Sequence, residues 1–178
     1  PEMGDKVAVF GLGPIGLLCG IWAKLGGARM LTGYDVDEQK FPLAHALGFD
    51  LALSPVGEKE EVDLAIEASG SSRALLDALG IVRKKGKVLL VGNQERDVTL
   101  KPQEIGMVLR RELTVVGTWN SDFSFLNSDW KRLLELEERE KVSLSPLISH
   151  RISLKEAPSF ILEMQQKHFP YTKVIIEP

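Results

Sequence analysis

The sequence predicts an α/β fold built on a doubly wound parallel sheet, and three observations carry that prediction. Short runs rich in Val, Leu and Ile alternate with helical patterns from Lys6 to Thr118. The runs are apolar at successive positions instead of alternate ones, as strands covered by helices on both faces require. Strand, helix and strand repeated in this way make right-handed crossovers, and therefore parallel neighbours.

The elements follow in order. Strands are expected at 6–10, 30–34, 62–67, 87–91 and 113–118, with a weaker one at 51–53. Helices are expected at 14–25, 37–47, 72–82 and 102–110. Pro14 suits a first helical turn, where its missing N–H has no partner to lose, and Gly26-Gly27 stops that helix by allowing a left-handed residue. Asp37 and Ser71 stand where N-caps are needed. After the sixth strand the pattern changes. A charged helix is expected at 129–141 with Leu133, Leu134 and Leu136 turned inward, then a strand at 147–149, a helix at 154–166 and a strand at 173–176. The stretch 143–178 is too short for a core of its own. The chain therefore reads as an α/β domain, 1–142, and a tail, 143–178, that packs on it or completes an absent partner.

Composition narrows the function. The 178 residues carry 22 Lys+Arg against 25 Asp+Glu, a net charge of −3, with 44% apolar and 26% charged residues. Disorder and collagen are excluded. With no basic block, neither a nucleic acid nor a membrane surface is an expected partner, which leaves small-molecule chemistry. The one cysteine, Cys19, makes no internal disulfide or cysteine-rich zinc cluster and reads as a small core residue. No apolar run approaches a membrane span and no signal peptide is visible, so a cytoplasmic setting is expected. The chain opens on Pro1 and enters a strand almost at once, which suggests a piece of something longer.

The most informative stretch is Val7 to Gly16, which sets a Gly-x-Gly-x-x-Gly turn between the first strand and the first helix. Gly11 permits the tight turn, Gly13 lets a pyrophosphate approach the backbone, and Gly16 lets the helix lie against the strand. Pro14 and Ile15 complete the turn, and the N–H groups that open the helix form an anion site. The second strand ends at Asp35, nineteen residues beyond Gly16, where a dinucleotide fold places a carboxylate on the adenosine ribose. Such a fold is the Rossmann sheet, six strands in the order 3-2-1-4-5-6. Asp35 repels a 2′-phosphate and no arginine follows it, so NAD is favoured over NADP. Asp37 is the competing acid, although it sits where the next helix needs a cap. Lys40 either reaches the same ribose or is a solvated helix lysine.

Ligands on these sheets lie beyond the carboxyl ends of the strands. That rule nominates Ala68, Ser69 and Gly70, then Val91, Gly92 and Asn93, then Thr118, Trp119 and Asn120. Gly70 and Gly92 also read as plain turn glycines, and Trp119 as a core residue.

No catalytic residue is assigned, because the chain shows no base or metal for stabilising an alkoxide. No metal ligands are assigned either. His45, His150 and His168 are far apart with no Cys, Asp or Glu at ligand spacing. His45 reads as a helix residue near the adenine side, and His168 as a surface residue before Pro170. There is no Gly-x-Ser-x-Gly elbow and no Tyr-x-x-x-Lys pair.

Several stretches together resemble the C-terminal half of zinc-dependent medium-chain dehydrogenases: the glycine turn with its preceding Gly4 to Val9, Tyr34-Asp35, Val62 to Gly70, Gly86 to Gly92, and Thr172 to Ile175. Within that family, Val116 to Asn120 and Leu144 to Arg151 look most like the galactitol-1-phosphate and sorbitol dehydrogenases. The resemblance implies a two-domain enzyme whose N-terminal domain, missing here, holds the zinc. There a polyol or polyol-phosphate gives up a hydride to NAD and becomes a ketone. It further implies that the tail is the returning segment of a split catalytic domain and that Lys173 lies near the pyrophosphate. Thr118 to Asn120 would lie by the nicotinamide. The strand-six edge would pair across a homo-oligomer, and apolar surface would be exposed where the missing domain packs. Alone, these residues are expected to bind NAD without turnover. Two other readings stand beside this one: a free-standing nucleotide-sensing module, which needs a tail with a polar exterior, and a methyltransferase.

Overall fold

The computed structural model describes every residue except 55–59, 95, 122–123, 125–127, 140 and 167–168. The chain packs as two compact units, Pro1–Asn120 and Ser121–Pro178. The first holds β1 (Lys6–Phe10), α1 (Pro14–Leu25), β2 (Met30–Tyr34), α2 (Phe41–Ala46), β3 (Leu51–Leu53), β4 (Val62–Glu67), α3 (Ser72–Ile81), β5 (Val82–Leu90), α4 (Pro102–Arg110) and β6 (Thr114–Gly117). All five strand pairings are parallel, in the order β3-β2-β1-β4-β5-β6. This is the doubly wound Rossmann sheet that the sequence predicts.

The apolar runs explain themselves once the order is known. β1 lies between β2 and β4, and Val7, Ala8, Val9 and Phe10 are at most 1% exposed. Full burial stabilises by about 1.5–3 kcal/mol for each Val- or Phe-sized side chain, so β1 anchors the sheet. The turn that follows it inherits that rigidity. Helix α1 stops where expected, with Gly27 left-handed at φ 87°.

Two helices begin later than their patterns suggest, and proline is the reason. The stretch 37–47 splits into a 3₁₀ turn, Glu38–Lys40, and α2. Pro42 is tolerated only in a first turn, since deeper in a helix its ring meets the carbonyl four residues back. Asp37 caps the 3₁₀ turn, its carboxylate accepting the Gln39 N–H at 3.1 Å. Ser71 occupies the N-cap position of α3, but its side chain makes no capping bond. β5 starts five residues early, at Val82, because α3 runs into it directly and its register against β4 shifts between Val62 and Leu64. Edge strand β6 is exposed at all four residues.

The second unit contains α5 (Asp129–Glu138), a 3₁₀ turn at Ser145–Leu147, β7 (Ile148–Ser153), α6 (Ala157–Gln165) and β8 (Lys173–Glu177). Helix α5 therefore falls with the tail. Its Leu133 and Leu136 are half-buried, one helical turn apart, whereas Leu134 is turned outward. Pro158 confines the start of α6 to Ala157. β7 extends to Ser153 because it pairs in parallel with β8, with alternate residues half-buried. His150, Phe160 and Phe169 cluster with ring centroids 4.9–5.1 Å apart. Trp130, Leu154 and Leu162 are exposed. His168 lies outside the described residues. Among the described residues no helix is long and apolar enough to cross a membrane.

Candidate cofactor-binding site

The glycine turn has three different constraints at its three glycines. Gly11 is left-handed at φ 96°, and a Cβ there would stand 2.8 Å from the Ser69 Cβ. At Gly16 a Cβ would stand 1.8 Å from the Gly11 carbonyl oxygen. Neither position accepts a side chain. Gly13 differs, because a Cβ there would meet nothing within 4 Å. The structure itself does not require glycine at 13, so the open notch is free for a ligand. Pro14 opens α1, no side chain caps that helix, and the first internal bond is Leu17 N–H to the Gly13 carbonyl at 2.9 Å. Hence the N–H groups of Ile15 and Gly16 face the notch end of the helix, where an anion is favoured.

Asp35 is tied to this turn. It is 8% exposed, and its Oδ2 accepts the Leu12 N–H at 2.7 Å while Oδ1 accepts the Asp37 N–H at 2.9 Å. The Lys40 ammonium donates to both oxygens, at 3.1 and 3.0 Å. Lys40, though its side chain is 37% exposed, is thus not free: it holds the acid. Bonds of this charged kind contribute about 1.5–3 kcal/mol each, so the carboxylate is fixed in place before any ligand arrives. The Leu12 bond, which joins the acid to the glycine turn, has no signature in the sequence.

Beside Asp35 opens a cavity of about 190 Å³, lined in part by Phe10, Tyr34, Asp35, Val36, Ser71 and Arg73. Phe10 and Tyr34 stack with centroids 4.9 Å apart, and burial pushes the Tyr34 phenol up. The volume is below the ~300–1,000 Å³ of a whole-ligand pocket. It suits one flat end of a longer molecule, such as an adenine. Val36 is exposed and offers its apolar side chain there.

Ser69, which also lines this cavity, leads from it to the place where the turns after β4 and β5 meet. Ala68 N–H donates to the Phe10 carbonyl at 2.8 Å, and Ser69 packs on Gly11. Gly70 is left-handed at φ 70°, and a Cβ there would stand 2.2 Å from the Asn93 carbonyl oxygen. At Gly92 a Cβ would stand 2.3 Å from the Gly70 nitrogen. Both glycines are needed for the two turns to touch. Beneath them lies Glu67, fully buried, which in the sequence shows only as the end of a strand. Gln94, which no motif marks, donates its amide to Glu67 Oε2 at 3.3 Å.

The remaining nominated residues fall into two groups. Val91 continues the β5 turn through its N–H to the Glu67 carbonyl at 2.8 Å, and Thr118 extends the β6 ladder through its N–H to the Leu90 carbonyl at 3.0 Å. Trp119 is 74% exposed, so it is not a core residue, and Asn120 is left-handed at φ 59°. Lys173 belongs to the second unit, where it opens β8. His45 bonds through Nδ1 to the Phe49 carbonyl at 3.1 Å. Cys19 is half-buried, and burial pushes its thiol up. Among the described residues no three His, Cys, Asp or Glu side chains are placed to hold a metal, so they do not fit a zinc ion. They do fit a dinucleotide, with an open notch at a helix start, a pinned acid and an apolar slot beside it.

A sheet of this order with that turn defines the class: a Rossmann-type NAD-binding domain. Comparison with known proteins makes it narrower. The zinc-binding dehydrogenase family matches residues 14–139, and the chain belongs to that family. It is 29% identical to galactitol 1-phosphate 5-dehydrogenase of Escherichia coli K12, over 97% of this chain and 53% of that protein. The crystal structure of galactitol-1-phosphate dehydrogenase from Escherichia coli superposes with a TM-score of 0.86 at 28% identity, covering 99% of this chain and 54% of that one. A zinc-binding dehydrogenase from Sinorhizobium meliloti 1021, solved with NADP, gives 0.81 at 27% identity, covering 99% and 53%. The chain spans about half the length of the relatives it matches.

Proposed function

We propose that this chain is the NAD-binding half of a polyol or polyol-phosphate dehydrogenase whose zinc-bearing catalytic half lies outside these residues. The observation that carries the reading is the pinned Asp35 carboxylate beside the open Gly13 notch. In the bound state Gly13, Pro14, Ile15 and Gly16 line the pyrophosphate and Asp35 accepts the ribose hydroxyls. Lys40, whose side chain is partly exposed and whose ammonium is held, among the described residues, only by the acid, yields part of its contact. The turns at Ala68–Gly70, Val91–Asn93 and Thr118–Asn120 line the nicotinamide side. NAD supplies a hydride acceptor for a secondary alcohol, giving a ketone. The similarity to galactitol 1-phosphate 5-dehydrogenase supports a polyol-phosphate. The exposed apolar residues of the tail support a surface that another domain covers, and tell against a free-standing sensor. Exposed β6 supports pairing between copies of the chain.

NAD is preferred to NADP because a buried acid held by Leu12 and Asp37 cannot leave to admit a phosphate, although one relative was solved with NADP. Titration of the chain with both nucleotides tests this. The expected result is tighter binding of NAD, with Asp35→Ala losing about 10- to 100-fold for NAD, the worth of one charged hydrogen bond, and losing its preference. Undiminished discrimination in the variant contradicts the assignment.

A further inference from the structure

We propose that Glu67 is a positioning residue: its buried carboxylate clamps the turn after β4 to the turn after β5, and so sets the wall against which the nicotinamide half of the dinucleotide rests. The proposal deepens the function proposed above and depends on it.

Glu67 is 0% exposed, and its Oε1 takes three donors: the Ser69 N–H at 2.8 Å, the Ser69 hydroxyl at 2.7 Å and the Gly70 N–H at 3.0 Å. Its Oε2 takes the Gln94 amide at 3.3 Å. Its main-chain carbonyl takes the Val91 N–H at 2.8 Å and the Gly92 N–H at 2.9 Å. One residue thus gathers six donors, all neutral, from two turns that belong to different crossovers. Burying a carboxylate is costly and is tolerated only where donors compensate it. If packing were the only demand, an apolar side chain like that of Ile66 would serve the end of β4 equally well. What the carboxylate adds is direction: it fixes Ser69 and Gly70 at one oxygen and Gln94 at the other.

The location gives that clamp its purpose. Ser69 lies directly on Gly11, within 2.8 Å of where a Cβ would stand, so the clamp continues into the glycine turn. Gly92 leaves no room for a side chain, its Cβ position lying 2.6 Å from Glu67 Oε2. With strand order β2-β1-β4-β5, a dinucleotide holding Asp35 with its ribose and Gly13 with its pyrophosphate continues over the ends of β4 and β5. Glu67 lies under that stretch. It touches no ligand atom itself; it decides where Ser69, Gly70 and Gly92 stand.

Glu67→Gln tests the clamp, since the amide keeps the shape but turns an N–H toward the Gln94 amide or toward Ser69. Calorimetric titration of the whole chain with NAD and with ADP separates the two halves of the ligand. The variant is expected to lose about tenfold for NAD, the loss of roughly one hydrogen bond's worth of placement, and clearly less, about threefold, for ADP, since Ser69 also borders the slot beside Asp35. Gln94→Met removes one peripheral donor, and about a threefold loss for NAD alone is expected. Equal losses for NAD and ADP overturn the proposal, because Glu67 then supports the fold at large. Unchanged NAD affinity in Glu67→Gln, or in Gln94→Met where Glu67→Gln does not fold, overturns it as well. A wild-type chain that binds ADP but gains nothing from the rest of NAD overturns the underlying function instead.

Discussion

Strand β4 carries a carboxylate near each end, and the two are held in opposite ways. Asp63, at the amino end, faces solvent in part, pairs with the Arg83 guanidinium and accepts the Lys6 N–H at 2.8 Å. The guanidinium holds its carboxyl below the usual carboxylate range. Glu67, at the carboxyl end, is buried and answered by neutral N–H and O–H groups. The first is a charge matched by a countercharge, which steadies the sheet. The second spends no cation and aligns two turns beside the helix start, where an anion is favoured. Binding chemistry in an open parallel sheet gathers at one end of the strands; here the difference can be seen within a single strand.

The sharpest way to break this contrast is at the carboxyl end, through Gly16. Its Cβ position, 1.8 Å from a backbone oxygen, lies far inside any contact distance. Gly16→Ala is expected to cost about 3 kcal/mol or more, the upper range for overpacking. For a domain of this size that is a fall of roughly 6–12 °C in thermal midpoint. A variant that melts with the wild type would show that the turn is not as tight as described.

At the amino end the effect is smaller and depends on conditions. Asp63→Asn is expected to lower stability by about 0.5–1.5 kcal/mol at neutral pH, since one partly exposed ion pair and part of one hydrogen bond are lost. The folded chain depresses the Asp63 pKa. Its contribution is therefore complete above the unfolded value, about 3.9, and is lost as pH falls through the lower folded value. Denaturant melts from pH 7 to 3 should show a constant gap between variant and wild type that closes only below about pH 4. About 0.5 M salt should narrow the gap as well. A gap that persists in acid would mean that Asp63 acts through packing, and the contrast with Glu67 would lose its basis.

Much of the molecule is legible in its sequence where one strand decides the outcome. β1, β2, β3 and β4 fall at their expected residues because each apolar run is bounded by a turn. The glycine turn and Asp35 are equally readable, being local patterns with a fixed spacing. Pro42 and Pro158 mark the starts of two helices by a rule that is local too. What escapes is whatever two distant segments decide together. Glu67 reads as the polar end of an apolar run until the β5 turn is folded over it, and the bond from Leu12 to Asp35 joins residues far apart in sequence. Lys40 had two open roles, and only the fold shows it resting on Asp35. Trp119, an apolar residue at a strand end, gives no local sign that it faces outward.

The central claim is that the notch at Gly13 is empty of protein because a pyrophosphate fills it. Gly13→Val tests that claim most directly, since φ is −73° and a Cβ meets nothing within 4 Å. Stability should change by less than about 1 kcal/mol, the cost of altering one N-cap, while NAD affinity measured by calorimetry falls by about tenfold or more. A variant that folds like the wild type and binds NAD equally well would contradict the account.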